Sequence, residues 1–296
     1  MIRPLLLAAA SLLLTAQAPI PPATISDPGS VIATAPDADW REIETENLIV
    51  FETARGRLVF ELAPDFAPAH IAAVRSLVAQ GRFDGGAITR VQDNYVIQWA
   101  ARPSEAAAVP EPLPAEYERA AEGLIFTPLG FTDPYAEAGF INSWPAARDL
   151  KTKTVWLAHC YGMVGVGRDG PPDVGDGTEL YAVIGHAPRH LDRNLAVIGR
   201  IVEGLDAHSS LPRGTDPLGV YATTAERTPI TRAMLAANLP EPPRFQVMDT
   251  ASASFVRYKA ARANRTGFFV RPAAGLDLCN TQIPVRRMAP GRQSLR

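Results

Sequence analysis

Arg90 and Gln98 are the two residues of this sequence whose types and spacing suggest chemistry. They lie on two short apolar runs, Ile88–Val91 and Tyr95–Ala100, and we expect the turn between the runs to be centred on Asp93. In such a hairpin Gln98 is the diagonal neighbour of Arg90 on the same face, about 7–8 Å away. Arginine keeps its charge and presents several N–H donors, whereas a glutamine amide both donates and accepts. We expect one shallow groove that contains both the guanidinium and the amide.

Other motifs do not predict a nucleotide, metal or nucleophile site. The stretch Gly165–Gly170 matches G-x-G-x-x-G, but Pro171 and the loop after it replace the helix that a dinucleotide site requires. His186 and His190 are four residues apart, yet Pro188 between them disfavours a regular helix and no third ligand is evident. The sequence has no G-x-S-x-G motif. We therefore expect a site without metal or cofactor.

The composition excludes several classes of protein. The chain has 296 residues, of which 47% are hydrophobic, enough for at least one sizeable core. Its 29 basic and 31 acidic residues give a net charge of −2, which argues against a nucleic-acid binder. Two cysteines are too few for a Cys-based zinc cluster. The 27 prolines disfavour a helical bundle and favour a β-rich body with many loops.

Residues 1–18 have the pattern of a secretory leader. Arg3 supplies the positive charge, residues 5–14 are apolar, and residues 16–18 form a small-x-small cleavage pattern. The apolar run is shorter than the roughly 20 residues that span a bilayer, so we expect no membrane span after cleavage. Export implies a periplasmic location in a bacterium. Residues 19–39, rich in Pro, Ala, Ser and Asp, predict a disordered linker, with order beginning near Trp40.

Cys160 and Cys279 allow two interpretations. In an oxidising compartment a disulfide would remove two reactive thiols and close a long loop. The alternative is two separate buried thiols, because free cysteine is among the most buried residue types.

The periodicity of apolar residues predicts many short strands and few helices. Residues 47–53 and 57–63 form a predicted hairpin, and a helix is predicted from Ala67-Pro68 to a C-terminal cap at Gly81. Besides the two strands around Arg90 and Gln98, strands are predicted at 154–158, 163–166, 180–184, 195–202, 230–235 and 245–248, and helices at 116–122, 205–211 and 252–263. This order favours a mainly β protein, a closed antiparallel barrel with helical caps, over a βαβ alternation.

The charge is unevenly distributed along the chain. Residues 102–150 contain eight acidic and three basic residues, and residues 244–296 contain ten basic and two acidic residues. An acidic insertion and a basic tail are expected to attract each other, or the tail to face an acidic partner or a membrane surface.

Several motifs in a fixed order resemble the cyclophilin family of proline cis/trans isomerases. Gly81–Gly85 is similar to the family's G-x-Y-D-G, and Ile88–Val91 stands where the family has F-H-R-V or F-H-R-I. The other matching stretches are 95–98, 178–181, 191–192 and 199–204. The resemblance covers 48–235 and implies an eight-stranded barrel closed by two helices. It divides the chain into a domain at 40–238, interrupted by an insertion at 102–154, and a basic C-terminal extension at 239–296.

The resemblance also implies site residues and proline-containing polypeptides as substrates. Arg90 and Gln98 are the implied catalytic residues. The implied substrate-binding residues are Tyr95, Val96, Gly167, Glu179, Tyr181, His190 and Leu191. Rotation about a peptide bond has a barrier of about 18–20 kcal/mol, and the prolyl nitrogen gains a lone pair as the amide twists. A cationic donor beside that nitrogen stabilises only the twisted state, so the reaction needs no nucleophile.

The chain departs from the family at the rim of this pocket. Tyr95 and Tyr181 stand where phenylalanine is usual, Glu179 where glutamine is usual, and His190 roughly where many members carry a tryptophan that helps to hold cyclosporin. We expect a peptidyl-prolyl isomerase that assists folding in the bacterial periplasm. The alternatives are a catalytically weak or inactive peptide-binding module with the same groove, or an envelope scaffold that acts through the insertion and tail.

Overall fold

The computed structural model describes residues 27–104 and 112–289, so the predicted leader at 1–18 lies outside the described residues. Four α-helices lie within these ranges: α1 (Pro28–Thr34), α2 (Pro68–Ala79), α3 (Leu205–Ser209) and α4 (Ala253–Ala263). The strands there are β1 (Trp40–Glu42), β2 (Leu48–Thr53), β3 (Gly56–Leu62), β4 (Ala87–Val91), β5 (Val96–Ala100), β6 (Arg119–Ala120), β7 (Phe126–Pro128), β8 (Glu137–Ile141), β9 (Trp144–Asp149), β10 (Thr154–Leu157), β11 (Met163–Val166), β12 (Glu179–Val183), β13 (Val197–Glu203), β14 (Thr228–Leu235), β15 (Phe245–Met248) and β16 (Val285–Arg287). None of the described helices is long and apolar enough to cross a membrane.

Eight antiparallel strands form a closed barrel in the order β11-β12-β5-β4-β14-β2-β3-β13, which confirms the predicted fold class. Alternation along each strand divides the side chains between the barrel interior and its outer surface. On β5, Ile97 and Trp99 are fully buried in the barrel core, whereas Val96 and Gln98 point to the other face. The barrel core therefore leaves the outward positions of β5 available for a binding groove.

Helix α2 has the predicted bounds because apolar residues recur at helical spacing and its ends are capped. Its buried face packs on the barrel core through Ile71, Val74, Leu77 and Val78. After the helix, Gly81 adopts φ +65°, and its N–H donates to the carbonyl of Val78 at 3.0 Å. Glycine adopts this left-handed conformation without steric cost, so it ends the helix where the sequence predicts.

The predicted helix at 116–122 is wrong. The segment is largely irregular and contains only the short strand β6. The Glu116 carboxylate instead accepts hydrogen bonds from the backbone N–H groups of Ala69 and His70, both at 2.9 Å. These groups belong to the first turn of α2, where N–H groups have no partner within the helix and a negative charge is stabilising. The acidic residue that suggested a local helix thus caps a distant one.

The insertion forms a second sheet with strand order β6-β10-β9-β8-β7. Strand β10, predicted among the barrel strands, belongs to this sheet, which runs past the predicted insertion boundary at 154 to Leu157. A second core lies between this sheet and helices α1 and α4, and includes Val31, Phe140, Trp144, Phe255 and Tyr258. The insertion and the C-terminal extension therefore share one apolar core, to which α1 also contributes.

The linker predicted at 19–39 is wrong for its described part. Residues 28–34 form α1, in which the Asp27 side chain accepts from the N–H of Ser30 at 3.1 Å. Val31 and Trp40 are buried in the second core. The polar composition of this segment hid one apolar helix face, which gains its stability from packing against α4.

The arginines of the C-terminal extension pair mainly outside the insertion. Strands β1, β15 and β16 form a third sheet. Arg286 pairs with Asp37 at 2.6 Å and Arg287 with Glu203 at 2.7 Å, so the partners lie near the start of the chain and on the barrel. The contact between extension and insertion is largely apolar, with Lys259 donating to the carbonyl of Pro128 at 2.9 Å. The predicted attraction between acidic insertion and basic tail is thus replaced by burial of apolar side chains.

Cys160 and Cys279 are joined by a disulfide with an S–S distance of 2.02 Å. The two residues are 119 positions apart in the sequence. Cys160 directly precedes the barrel segment that contains β11, and Cys279 follows α4. The bridge fastens the C-terminal extension to the barrel.

Candidate active site

Arg90 and Gln98 lie directly opposite each other on β4 and β5. The predicted diagonal placement is wrong because the turn is centred on Asn94, which adopts φ +50°, a conformation that asparagine tolerates. A bulge between Ile88 and Arg90 interrupts the register of the two strands. Bulges re-aim side chains, and Nη1 of Arg90 donates to Oε1 of Gln98 at 3.2 Å.

The guanidinium of Arg90 is held from two further sides. Its Nε donates to the carbonyl of Leu218 at 2.7 Å, and its Nη2 donates to the side chain of Gln92. Leu218 adopts φ +64°, an uncommon conformation for leucine that belongs to the turn offering this carbonyl. Burial lowers the pKa of Arg90, while Tyr95 and Glu179 act in the opposite direction. The result is a cation with a fixed position.

Gln98, Glu179 and Gly167 continue this polar row. Nε2 of Gln98 donates to Oε2 of Glu179 at 2.6 Å, and the N–H of Gly167 donates to the carbonyl of Glu179 at 2.8 Å. A Cβ on Gly167 would lie 3.1 Å from Cβ of Glu179 and 3.5 Å from Nε2 of Gln98. A larger residue there would crowd the two side chains, so Gly167 leaves them room beside Arg90.

Tyr95 and His190 form an aromatic wall next to Arg90. Their rings are parallel, with centroids 6.3 Å apart, and the guanidinium carbon of Arg90 lies 5.7 Å from the centroid of Tyr95. Leu191 follows His190 in a short 3-10 helix and is half-buried, while Val96 follows Tyr95 and is buried. The structure thus places the predicted pocket residues on two segments that meet beside the polar row.

Tyr181 pairs with Gln98 across β12 and β5, and it is part of a buried chain of hydrogen bonds. Its hydroxyl lies 2.8 Å from Nε2 of His159, whose Nδ1 lies 2.9 Å from Oδ1 of Asp192. With Nδ1 directed at this carboxylate, Nε2 is the ring nitrogen that is left to pair with the hydroxyl of Tyr181. Burial raises the pKa of Tyr181 well above its usual value. The tyrosine hydroxyl therefore keeps its proton and is held in a hydrogen bond with the histidine ring.

Asp192 connects this chain to the insertion. Burial alone would raise its pKa, but the hydrogen bond from His159 and the charge of Arg189 outweigh burial and lower it. Nε of Arg189 donates to Oδ2 of Asp192 at 2.5 Å, and Nη1 donates to Oδ2 of Asp133 at 2.9 Å. Asp133 belongs to the insertion, so a continuous polar chain runs from the insertion to the floor of the pocket.

Sequence reasoning missed this chain of four residues, His159, Asp192, Arg189 and Asp133. They come from separate segments, and no spacing in the sequence relates them. The signal available in the sequence was the tyrosine at position 181, which stands where phenylalanine is usual. Its hydroxyl requires a hydrogen-bond partner in a buried pocket.

The arrangement provides electrostatic stabilisation in a groove. The guanidinium of Arg90 has a fixed position at one edge of the groove. The amide of Gln98 lies beside it and can hold a peptide backbone, and the aromatic side chains offer an apolar surface. Such a preorganised donor lowers a barrier when charge or a lone pair develops in front of it. Within the described residues, no cluster of three His, Cys, Asp or Glu side chains is placed as a metal site.

Comparison with known proteins identifies the family. Residues 48–233 match the model of the family "Cyclophilin type peptidyl-prolyl cis-trans isomerase/CLD". Probable peptidyl-prolyl cis-trans isomerases from Brucella suis and Brucella melitensis are each 23% identical over 173 residues, which are 58% of this chain and 75% of each relative. The crystal structure of cyclophilin AquaCyp293 from Hirschia baltica has 25% sequence identity and a TM-score of 0.66, covering 88% of this chain and 96% of its own. The chain belongs to the cyclophilin-type peptidyl-prolyl cis-trans isomerases.

Proposed function

We propose that this cyclophilin assists protein folding in the bacterial periplasm, where it isomerises prolyl bonds of exported polypeptides. The observation that carries the catalytic part is the pairing of Arg90 with Gln98 at 3.2 Å beside Tyr95 and Tyr181. Arg90 donates to the prolyl nitrogen as the amide twists, and Gln98 holds the substrate backbone. The leader pattern at 1–18 and the disulfide between Cys160 and Cys279 support an oxidising compartment.

The test of the catalytic part is a protease-free isomerase assay on a protein whose refolding is limited by a prolyl bond. Arg90→Ala should lower kcat/KM about 100- to 1000-fold, which corresponds to the roughly 2.7–4 kcal/mol lost with one electrostatic donor. Arg57→Ala is the matched control, because Arg57 is an exposed arginine that pairs with Glu52 on the outer edge of a hairpin. Wild-type activity in Arg90→Ala would refute the assigned roles.

The test of location is a fusion of residues 1–39 to a reporter enzyme that is active only outside the cytoplasm. We expect activity with residues 1–39 and none with residues 19–39. Equal activity from both fusions, or none from either, would contradict export through this leader.

A second candidate function is a peptide-binding module with weak or no turnover. It is favoured by the occupancy of Arg90, whose Nε and both Nη atoms already donate to Leu218, Gln98 and Gln92. A substrate must compete with these acceptors. This candidate predicts that the wild type binds proline peptides without accelerating their isomerisation, so the same assay combined with a binding titration separates the two functions.

A further inference from the structure

An open cleft of about 470 Å³ continues from the polar row along the outside of the barrel. Arg90, Gln98 and Glu179 line one part of it. The remaining lining residues are Gly85, Gly86, Ala87, Thr89, Ala100, Ala101, Arg102, Pro103, Val220 and Arg227. Because most of these side chains are small, a substrate side chain near the prolyl bond has room to enter.

The charges around this cleft are unbalanced. Three arginines line it, Arg90, Arg102 and Arg227, against one carboxylate, Glu179. That carboxylate already accepts from Gln98 at 2.6 Å. A cleft with an excess of one charge attracts ligands of the opposite sign.

Arg102 and Arg227 have unused donors. Arg102 is exposed and Arg227 is half-buried, and neither side chain makes a hydrogen bond or ion pair with another described residue. Nε of Arg227 is shielded from solvent and has no acceptor within residues 27–104 and 112–289. The neighbouring carboxylate of Glu226 is used elsewhere, since it accepts from the hydroxyl of Thr215 at 3.0 Å and the N–H of Ala222 at 3.2 Å. A buried donor without a partner is costly, and a carboxylate is the acceptor that satisfies a guanidinium best.

We propose that this cleft is a subsite for an acidic side chain of the substrate, and that the enzyme prefers prolyl bonds with an aspartate or glutamate close by. The inference rests on the proposed function only for the location of the prolyl bond at Arg90. Arg102 and Arg227 bind the carboxylate of the substrate side chain. The negative charge of Glu179 repels that carboxylate from the neighbourhood of Gln98. This assigns a specificity role to two arginines outside the catalytic pair.

The test uses short peptides with one proline and a single Glu, Gln or Lys, placed one, two or three residues before or after the proline. Both kcat/KM and Kd are measured for each peptide. At one or two positions we expect Glu to exceed Gln by at least about tenfold, the scale of one charge-assisted hydrogen bond, and Lys to be the poorest. The ratio of Glu to Gln should fall towards one in Arg102→Gln/Arg227→Gln and at high salt. Arg57→Gln is the matched control and should keep the wild-type ratio.

The outcomes separate this inference from the proposed function. Turnover with equal values for Glu and Gln at every position, or a preference that survives in the double variant, overturns the acidic subsite. Absent turnover with a Kd that favours Glu overturns the isomerase function and supports the subsite.

The experiment includes one more variant, which removes two acidic residues of the chain itself. Glu105 and Glu111 lie in the segment 105–111, outside the described residues. If the acidic preference is present only in Glu105→Gln/Glu111→Gln, the cleft is filled by the chain's own carboxylate, and the proposal that it selects substrates is wrong. The same preference in wild type and in this variant supports it.

Discussion

The hydroxyl of Tyr181 lies 2.8 Å from Nε2 of His159, and both side chains are almost completely buried. Directly beside this pair, the backbone of Gly165 approaches the tyrosine so closely that a Cβ there would lie 2.3 Å from the hydroxyl oxygen. The same Cβ would lie 2.4 Å from Cζ of the ring, so the missing side chain at position 165 makes room for the whole tyrosine ring. The hydroxyl of Tyr181 places a polar group in the floor of an otherwise apolar pocket, where a complete hydrogen-bond chain makes it tolerable.

The first prediction concerns this pair. Tyr181→Phe should lower the free energy of unfolding by about 1–3 kcal/mol, because Nε2 of His159 loses its partner in a buried site. Gly165→Ala should also be destabilising, since the added methyl collides with Tyr181. In the double variant the phenyl ring, released from His159, can shift away from the methyl, so the two losses should be less than additive by about 1 kcal/mol. Urea denaturation of the four proteins measures this coupling, and strict additivity would contradict it.

A second prediction concerns inhibition by cyclosporin. His190 stacks on Tyr95, but an imidazole offers less apolar area than the tryptophan that many cyclophilins carry there. We expect weak inhibition of the wild type and tighter inhibition of His190→Trp in an isomerase assay. Phe268→Trp, at a position that is 92% exposed, is the control and should change nothing. An inhibition constant below about 1 µM for the wild type would show that the placement of His190 is wrong.

The third prediction concerns the bridge between Cys160 and Cys279. Because it closes a loop across 119 positions, the chain-entropy model gives it about 4–5 kcal/mol of stabilisation. Reduction, or Cys160→Ser/Cys279→Ser, should lower the free energy of unfolding by up to this amount. Thiol titration of the denatured, non-reduced protein should find no free thiol. Two free thiols per chain would disprove the bridge.

The fourth prediction concerns acid sensitivity and His208. Burial lowers the pKa of this histidine from 6.5, while its hydrogen bond to the carbonyl of Gly204 at 2.7 Å opposes the shift. The unfolded chain therefore binds the proton more readily. The resulting stabilisation is complete above about pH 6.5 and is lost as the pH falls through the lower pKa of the folded state, by up to about 1.4 kcal/mol per pH unit.

The variant His208→Asn checks this prediction. An asparagine amide can still donate to Gly204 but does not titrate, so stability between pH 7 and pH 5 should fall less steeply in the variant than in the wild type. Thermal or urea unfolding at several pH values measures the slopes. Equal slopes would assign the acid sensitivity to other groups.

The barrel was accessible from the sequence because its signals are local. The helical spacing of apolar residues in α2, which ends at Gly81, shows within one short segment which side chains are buried. The alternation along β5 does the same. The second core was not accessible in this way. Helix α1 looks like a polar linker, and Glu116 looks like part of a helix, because their partners lie far away in the sequence.

For the site, too, local features were predicted correctly and long-range ones were not. Arg90 and Gln98 were identified because the motifs around them lie within a few residues of each other. The predicted centre of their turn was wrong by one residue, and this places Gln98 rather than Val96 opposite Arg90. Arg102 and Arg227 were not identified as parts of one cleft, because strands from opposite halves of the domain bring them together.

The second core also determines when the chain acquires its structure. Its apolar groups come from α1 near the beginning, the insertion in the middle and α4 near the end, while barrel closure itself awaits the pairing of β2 with β14. Contacts between such distant parts of a chain give a high contact order, which slows folding. A growing chain therefore cannot close the barrel, or complete the groove, before β14 is available, and it cannot complete the second core before α4 is available. A catalyst of prolyl isomerisation is thus itself formed by late, long-range contacts.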